Sequence, residues 1–289
     1  MRIAKDIDRS PAAAAGTITL GDDLTVNRMG FGAMRLTGEG VWGPPADRPE
    51  AIRVLRRAVK MGVNFIDTAD SYGPNVAEEL IAEALRPYPE GLVIATKAGF
   101  ERPGPGVWTE NGRPEHLRRQ LEGSLRRLKV ERIDLWQLHR IDPKVPAEEQ
   151  FEAMREFQRQ GLVRHFGLSE VSAADTARAR RTVPIVSVQN RYNVTGRQWE
   201  AEVDYAEREG LAFLPWFPLS AGELDEGGRP ARVAKRHGAT VYQIALAWLL
   251  ARSPAMLVIP GTSSVRHLEE NVRAAEIALT DEDMNDLSP

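Results

Sequence analysis

The sequence predicts an α/β fold, a (β/α)₈ barrel in which eight parallel strands alternate with helices. Short β-branched or apolar runs alternate with longer stretches whose apolar residues recur every three or four positions. Eight strand runs can be counted, and no linker rich in Gly, Pro or Ser divides them. The 289 residues fit one barrel, which typically takes about 250. A doubly wound open sheet is the alternative fold.

The candidate strands and helices alternate along the chain. The strands are Arg28–Leu36, Val63–Asp67, Leu92–Lys97, Ile133–Leu138, Val163–Leu168, Ile185–Gln189, Leu211–Trp216 and Met256–Ile259. The helical segments are 49–62, 75–85, 113–130, 147–161, 172–181, 197–210, 240–252 and 264–276. Pro49 and Pro114 suit the first turns of helices, and Gly62, Gly161 and Gly210 suit their ends.

The segment before the first barrel strand carries its own signals. Thr17–Leu20 and Leu24–Arg28 flank Gly21-Asp22-Asp23, which predicts a hairpin that plugs the N-terminal end of the barrel. We expect residues 1–15 to be a loose leader before a single domain spanning 1–289. This leader has no apolar core typical of a signal peptide, and no apolar run approaches the roughly eighteen residues of a membrane span. A cytoplasmic protein is therefore expected.

Composition removes several classes of function. Lys plus Arg total 38 against 41 Asp plus Glu, with both signs scattered, so neither nucleic acid nor a membrane is an expected partner. The absence of cysteine excludes disulfides, thiolate nucleophiles and cysteine-bound zinc. His116, His165, His237 and His267 lack any HExxH-type spacing, which disfavours a metal site. The chain also lacks the GxSxG, P-loop and strand-following GxGxxG motifs.

Four polar residues stand at or just after the C-terminal ends of three successive candidate strands. Asp67 ends one strand and Tyr72 follows it, Lys97 ends the next, and His139 follows the third. Such strand ends converge on one mouth of a barrel. Each residue alone has a commoner structural explanation, as a cap, a packed ring or a solvated charge. At the ends of apolar strands these polar groups would be buried without partners unless they contact one another. Their occurrence together therefore predicts a functional site.

Five motifs carry a resemblance to a known family: NFIDTADSYG at 64–73, GLSE at 167–170, VQNRYN at 188–193, PWFPLS at 215–220 and IPGTSSVRHLEEN at 259–271. With these motifs the chain resembles the aldo-keto reductases from about Met29 to its C-terminus. It is most similar to the branch with a tryptophan after strand seven and a short C-terminal tail. The resemblance implies the same barrel and an NADPH-dependent reduction of aldehydes or ketones to alcohols.

The resemblance also implies a role for each strand-end residue. Tyr72 would be the general acid that protonates the substrate carbonyl, although an unperturbed phenol, with a pKa near 10, is a reluctant donor. Lys97, held by Asp67, would stabilise the phenolate and lower the pKa of Tyr72. His139 would orient the carbonyl and donate to its developing negative charge.

Cofactor positions follow from the same resemblance. Ser169 and Gln189 would bind the nicotinamide carboxamide, and Trp216 would stack on the ring, with plain core packing as its alternative role. Glu170, where many members have Asn, could accept from the carboxamide NH₂. The remaining implied cofactor residues are Met34, Arg35, Asp67, Phe217, Pro218, Leu219, Ser220, Gly222, Gly261, Thr262, Ser263, His267, Glu270 and Asn271. Gly261 stands where some members grip a 2′-phosphate with Lys, which leaves Ser263, Arg266, His267 or Arg229 as candidates. NADPH is the expected cofactor, with NADH as the alternative.

Two loops bear on the substrate, which we expect to be a small carbonyl compound. Trp42 and Trp108 would join Tyr72 and His139 at the mouth as substrate contacts, or would only pack their loops. The short tail predicts an open, permissive pocket. Two alternative functions stay open: a nicotinamide-nucleotide-sensing regulatory or binding subunit with little turnover, and a metal-dependent hydrolase.

Overall fold

The computed structural model describes residues 10–220 and 227–288 and has a curled parallel sheet at its centre. Its strands are β3 (Phe31–Gly32), β4 (Phe65–Asp67), β5 (Val93–Ala98), β8 (Ile133–Leu138), β9 (Val163–Ser169), β10 (Ile185–Gln189) and β11 (Ala212–Phe213). They pair in the order β11-β10-β9-β8-β5-β4-β3. The predicted eighth strand is reduced to two parallel bridges, from Met256 to Phe213 and from Val258 to Met29. Because these bridges join the two edges of the sheet, the ring is closed as predicted.

Helices surround this ring. Within the described residues they are α1 (Arg48–Lys60), α2 (Val76–Leu85), α3 (Pro114–Leu128), α4 (Ala147–Arg159), α5 (Ala173–Ala179), α6 (Glu200–Arg208), α7 (Arg229–His237), α8 (Val241–Arg252), α9 (Val265–Arg273) and α10 (Asp281–Asp286). The glycines predicted to end three of them, Gly62, Gly161 and Gly210, all have positive φ. Helices α7 and α10 were not predicted. Among the described residues, no helix combines the length and apolar character needed to cross a membrane.

The N-terminal hairpin pairs β1 (Thr17–Leu20) with β2 (Leu24–Asn27). Its buried Leu20, Leu24 and Val26 join a cluster with barrel residues that include Phe65 and Leu135. This cluster is separate from the larger apolar layer between the strands and the helices. The hairpin therefore closes the barrel at the end opposite the carboxyl ends of the strands, as predicted.

Two segments expected to lack regular structure are ordered. Pro11–Ala15, placed by the sequence in a loose leader, forms a short 3₁₀ helix with Ala12 fully buried and its N–H bonded to Met61 O. The expected leader residues 1–9 lie outside the described residues. After β5 the chain folds into a second antiparallel hairpin, β6 (Phe100–Gly104) and β7 (Val107–Glu110). This hairpin places Phe100, Trp108 and Glu110 at the mouth of the barrel.

Candidate active site

Asp67, Tyr72 and Lys97 form one connected group at the carboxyl end of the barrel. Lys97 Nζ lies 2.7 Å from Asp67 Oδ2, 2.9 Å from the carbonyl oxygen of Thr68 and 3.3 Å from the hydroxyl of Tyr72. The Lys97 side chain has no solvent exposure, and Tyr72 is buried except for 6% of its surface. Burial and three oxygen acceptors fix the ammonium group in one position, directly beside the phenol.

The second carboxylate oxygen of Asp67 accepts hydrogen bonds from two buried glutamines. Gln189 Nε2 donates to Asp67 Oδ1 at 2.9 Å, and Gln137 Nε2 donates to the same atom at 3.2 Å. Gln189 Nε2 also lies 3.3 Å from Gln137 Oε1. These contacts orient the carboxylate toward Lys97, so Asp67 positions the cation that contacts Tyr72.

Burial and charge act on these groups in opposite directions. Burial tends to lower the pKa of Lys97, but the carboxylate of Asp67 and the phenol of Tyr72 raise it above its ordinary value, which keeps the amine protonated. Burial raises the pKa of Tyr72, and the Lys97 charge opposes this shift without cancelling it. The expectation of a lowered pKa for Tyr72 is therefore wrong. Desolvation outweighs the Lys97 charge, and the phenol keeps its proton.

His139 follows β8, and the centre of its ring lies 6.1 Å from that of Tyr72. Burial and the charges of Lys97, Arg140 and Arg102 hold the pKa of His139 well below its ordinary value, so the ring is neutral. Its Nδ1 lies 3.4 Å from Ser71 Oγ. If this hydroxyl donates to Nδ1, the ring proton is on Nε2 and is free for another acceptor.

Aromatic rings form a wall beside these polar groups. Phe100 packs against His139 with ring centres 4.7 Å apart and against Trp108 at 5.3 Å. Trp108 also lies 6.4 Å from Tyr72. The guanidinium of Arg102 covers Trp108 at 3.7 Å and donates to four backbone carbonyl oxygens, one in β7 of the same hairpin and three in neighbouring segments of the chain. The β6–β7 hairpin is therefore pinned with Phe100 and Trp108 over the mouth.

A continuous cleft of about 1370 Å³ begins at this group and runs toward α9. Most of the residues proposed for catalysis, cofactor or substrate line it. They are Met34, Arg35, Asp67, Tyr72, Trp108, His139, Ser169, Gln189, Trp216, Phe217, Pro218, Leu219, Gly261, Thr262, Ser263, His267, Glu270 and Asn271. One cavity thus gathers residues from all parts of the chain.

Other proposed residues lie elsewhere. Lys97 lies behind Tyr72, outside the lining of the cleft. Glu170 does not line the cleft either. Its Oε1 accepts a hydrogen bond from Trp216 Nε1 at 2.6 Å. Trp42, a proposed substrate contact, lies beneath Arg102 at 5.7 Å and is not part of the lining. The buried Ser220 pairs with Thr195, with 3.3 Å between their hydroxyl oxygens. Gly222 lies outside the described residues.

Sequence reasoning missed several lining residues. Phe100 and Glu110 come from the β6–β7 hairpin, and Arg140 follows His139 directly. Others come from α7, α8 and the turn between them: Ala231, Ala234, Lys235, Ala239, Thr240, Val241 and Tyr242. The strand-end rule that selected His139 could have included Arg140. No helix was predicted over Arg229–His237, so the residues of α7 were not expected to line the cleft.

The alternative of a metal-dependent hydrolase requires a cluster of side chains that can bind a metal ion. Among them, no group of three or more His, Asp or Glu side chains is close enough to hold a metal ion. Of the histidines considered earlier, His165 lies 2.7 Å from Asp23 and His237 lies 2.8 Å from Asp283. These contacts are pairwise, so the structure offers no support for a metal-dependent hydrolase.

Comparison with known proteins decides the family. A family model described as the aldo/keto reductase family matches residues 28–288. The chain belongs to this family. An uncharacterized oxidoreductase of Schizosaccharomyces pombe is 52% identical over 272 residues, which cover 94% of this chain and 88% of the relative. A pyridoxine 4-dehydrogenase of Escherichia coli is 44% identical over 280 residues, with 95% and 98% covered.

A solved aldo/keto reductase from Klebsiella pneumoniae has the same architecture. It was crystallised with NADP and acetate and is 27% identical, with a TM-score of 0.78 and coverage of 94% of this chain and 93% of that chain. The match extends over nearly the full length of both proteins, so the barrel of this aldo/keto reductase agrees with an experimental structure.

The chemistry of the cleft suits a dinucleotide. The indole of Trp216 lines the cleft, and three cations also line it: Arg35, Lys235 on α7 and Arg266 on α9. Of the four candidates for a 2′-phosphate, Ser263, Arg266 and His267 line the cleft, whereas Arg229 donates to the carbonyl oxygen of Ser288. Arg266 Nη2 lies 2.8 Å from His267 Nε2. An aromatic surface and cations in one cleft are groups to which a nicotinamide ring and phosphates can bind.

Proposed function

We propose that this aldo/keto reductase uses NADPH to reduce aldehydes and ketones to alcohols, with Tyr72 as the general acid. The observation that carries the proposal is the 3.3 Å contact between the Tyr72 hydroxyl and Lys97 Nζ at the inner end of the cleft. A phenol that burial keeps protonated, beside a fixed cation that stabilises its anion, is suited to give up a proton when a neighbouring oxygen becomes basic.

Each residue of the group has a separate task. NADPH, when bound, supplies the hydride that reduces the carbonyl carbon. Tyr72 donates its proton to the carbonyl oxygen, and the Lys97 cation stabilises the phenolate that remains. The neutral His139 donates from Nε2 to the same oxygen, which orients the carbonyl and stabilises its developing charge. Asp67 keeps Lys97 in place.

Cofactor residues are proposed on the same basis. Ser169 and Gln189 line the cleft near the catalytic group and offer polar atoms for the nicotinamide carboxamide, and Trp216 offers its ring for stacking. The exposed Arg266 and His267 on α9 are the proposed partners of a 2′-phosphate. The NADP-bound structure of the Klebsiella pneumoniae relative supports the choice of NADPH over NADH.

The substrate class is supported by the wall of the mouth and by a relative. Phe100 and Trp108 present apolar rings beside Tyr72 and His139, which suits a flat, ring-bearing carbonyl compound. The relative from Escherichia coli is named for the oxidation of pyridoxine, a ring-bearing alcohol. We therefore propose aromatic and heteroaromatic aldehydes as good substrates.

The test is a cofactor-oxidation assay with the full-length protein, NADPH or NADH, and 4-nitrobenzaldehyde or phenanthrenequinone as substrate. Turnover with a higher kcat/KM for NADPH supports the proposal. Tight NADPH binding without turnover of any carbonyl would instead favour the nucleotide-sensing subunit. An Arg266→Gln variant should weaken NADPH binding and leave NADH binding unchanged, and equal wild-type affinity for both cofactors would contradict the NADPH preference.

A further inference from the structure

Arg140 is a second polar group at the mouth, directly after His139 in the chain. It lines the cleft and is partly buried. Its Nη1 donates to the carbonyl oxygen of His139 at 2.6 Å and to Ser169 Oγ at 3.0 Å. The guanidinium carbon lies 5.5 Å from the centre of the Phe100 ring. Arg140 therefore contacts both His139, proposed to orient the carbonyl, and Ser169, proposed to bind the nicotinamide.

The charge of Arg140 has no partner among the described residues. No carboxylate there lies within ion-pair distance of it, and its Nε and Nη2 atoms make no hydrogen bond to a described residue. Burial lowers the pKa of Arg140, and the more distant Glu170, Tyr72 and Glu110 oppose this shift without cancelling it. The carboxylate of Glu170 is already bonded to the Trp216 indole. A partly buried cation with an open edge of N–H donors is costly unless something binds it.

Other partly buried arginines of the barrel are satisfied. Arg127 pairs with Glu78 at 2.6 Å, and Arg252 pairs with Glu200 at 2.5 Å. Arg102, at the same mouth as Arg140, has no carboxylate but donates through all three of its nitrogens to backbone carbonyls. Arg140 uses only one of its three nitrogens. The Nε and Nη2 donors of Arg140 are therefore available to a ligand in the cleft.

We propose that Arg140 recognises the substrate by binding an anionic oxygen next to the reacting carbonyl. This inference rests on the proposed function and specifies its substrate class: carbonyl compounds that carry an ionised oxygen close to the carbonyl carbon. Arg140 and His139 line the same cleft and both lie against Phe100, whose ring centre is 5.5 Å from the guanidinium carbon and 4.7 Å from the His139 ring, so an oxygen bound to Arg140 would belong to a group near the carbonyl that His139 contacts. The planar fork of N–H donors suits a carboxylate or a phenolate.

Two kinds of molecule carry this shared feature. A 2-oxo acid has a carboxylate on the carbonyl carbon, and an ortho-hydroxylated aromatic aldehyde, once ionised, has a phenolate beside the aldehyde. In either case the ring or side chain would pack on Phe100, which lies between Arg140 and Trp108.

The experiment compares two matched pairs of carbonyl compounds with the full-length enzyme and NADPH. The first pair is phenylglyoxylate and its neutral methyl ester. The second is 3-hydroxypyridine-4-carbaldehyde, assayed above the pKa of its hydroxyl, and pyridine-4-carbaldehyde. The variants are Arg140→Met and the more conservative Arg140→Gln, which keeps a donor for Ser169. Arg178→Met, which removes a surface cation from the outside of the barrel, is the control.

We expect Arg140→Met to lower kcat/KM for the anionic member of at least one pair by about 10–100-fold, mostly through KM, since a lost hydrogen bond between charged groups has that effect. The neutral member should change by less than about threefold, and Arg178→Met should change neither. A response in the first pair alone assigns the site to carboxylates, and in the second alone to phenolates. Equal losses for charged and neutral members in both pairs would overturn the proposal, because Arg140 would then only position His139 and Ser169.

A binding measurement separates failure of this inference from failure of the proposed function. If the wild-type protein reduces no carbonyl, calorimetric titration of the NADPH-loaded protein with phenylglyoxylate and with its methyl ester still tests Arg140. Affinity for the anion that falls at least about tenfold in Arg140→Gln supports the anion site without any turnover. No preference for the anion in the wild-type protein would overturn it. Thermal melts identify a variant that does not fold, and the other variant then gives the answer.

Discussion

The indole Nε1 of Trp216 donates to Glu170 Oε1 at 2.6 Å. The same carboxylate oxygen accepts from the backbone N–H of Arg191 at 2.6 Å, and Glu170 itself has a left-handed backbone with φ 54°. This arrangement locks the plane of an indole that lines the cofactor cleft. The resemblance had suggested that Glu170 contacts the nicotinamide carboxamide, whereas the structure directs its carboxylate to the edge of the ring proposed to stack on the cofactor.

Glu170→Ala should weaken NADPH binding, because it frees the indole that the carboxylate holds. We expect about a fivefold rise in Kd, the effect of one lost hydrogen bond of roughly 1 kcal/mol. Glu170→Gln keeps an oxygen acceptor for Nε1 and should bind NADPH nearly as the wild-type protein does. Calorimetric titration of both variants measures this. If Glu170→Ala bound NADPH with unchanged affinity, the contact would have no role in holding the stacking ring.

Trp216→Ala tests the stacking role directly. Loss of the ring should weaken NADPH binding by about 1–3 kcal/mol, with base–aromatic stacking as the guide. Trp199→Ala is the matched control, since Trp199 is also partly buried, at the start of α6, but does not line the cleft. Calorimetry and a thermal melt should be run on both variants. Unchanged NADPH affinity together with a large loss of melting temperature would show that Trp216 is only a packed ring.

Tyr72→Phe removes the proposed proton donor and keeps the ring that packs against Trp108 and His139. Turnover should fall by about 10²–10⁴-fold, the usual effect of losing a general acid, while NADPH affinity should stay the same. Tyr205→Phe, on the outer helix α6, is the control and should retain wild-type turnover. A Tyr72 variant that kept most of its carbonyl reductase rate would show that another group supplies the proton.

Most of the fold was predictable because its signals are local. All eight helical segments and seven of the eight strand runs have a counterpart in the structure, since apolar periodicity and glycine stops act over a few residues. Two strand runs are much shorter than predicted: Arg28–Leu36 is a strand only at Phe31–Gly32 and continues as a 3₁₀ helix over Ala33–Leu36, and Leu211–Trp216 is a strand only at Ala212–Phe213. The eighth strand, 256–259, pairs only through isolated bridges, which no local pattern reveals. Helix α10 is short and polar, and it is held by tertiary contacts from Asp283 to Arg236 and His237. The cytoplasmic location stays a prediction.

The site was predictable where a polar, chemically reactive residue stands at the C-terminal end of a strand. Asp67, Tyr72, Lys97 and His139 were found in this way, and the structure brings them together. What the sequence could not give is the direction of each side chain. Glu170 turns to an indole 46 positions away in the chain, and the balance of burial against charge at Tyr72 depends on atoms from several elements. Such contacts are long-range and need the folded coordinates.

Lys97→Met removes the cation that lies against Tyr72 and leaves the buried Asp67 without its ion pair. Breaking such a buried pair should lower the free energy of unfolding by about 3–5 kcal/mol. The hydrogen bonds from Gln137 and Gln189 to Asp67 remain, so we expect a folded but less stable protein. Lys60→Met, at an exposed position of α1, is the control, and a thermal melt compares the two variants.

The same variant should move the pH profile of reduction in a defined direction. Reduction needs the protonated phenol, so its rate falls as the pH rises through the pKa of Tyr72. Burial raises this pKa and the charge of Lys97 is the largest influence that lowers it, so removing that charge shifts the pKa of Tyr72 further upward. In Lys97→Met the basic limb of the kcat/KM profile should therefore lie at higher pH than in the wild-type enzyme. The maximal rate should nevertheless be lower, because the phenolate that forms on proton transfer has lost its cation. A residually active variant whose basic limb stayed at the wild-type pH would show that Lys97 does not set the acidity of Tyr72.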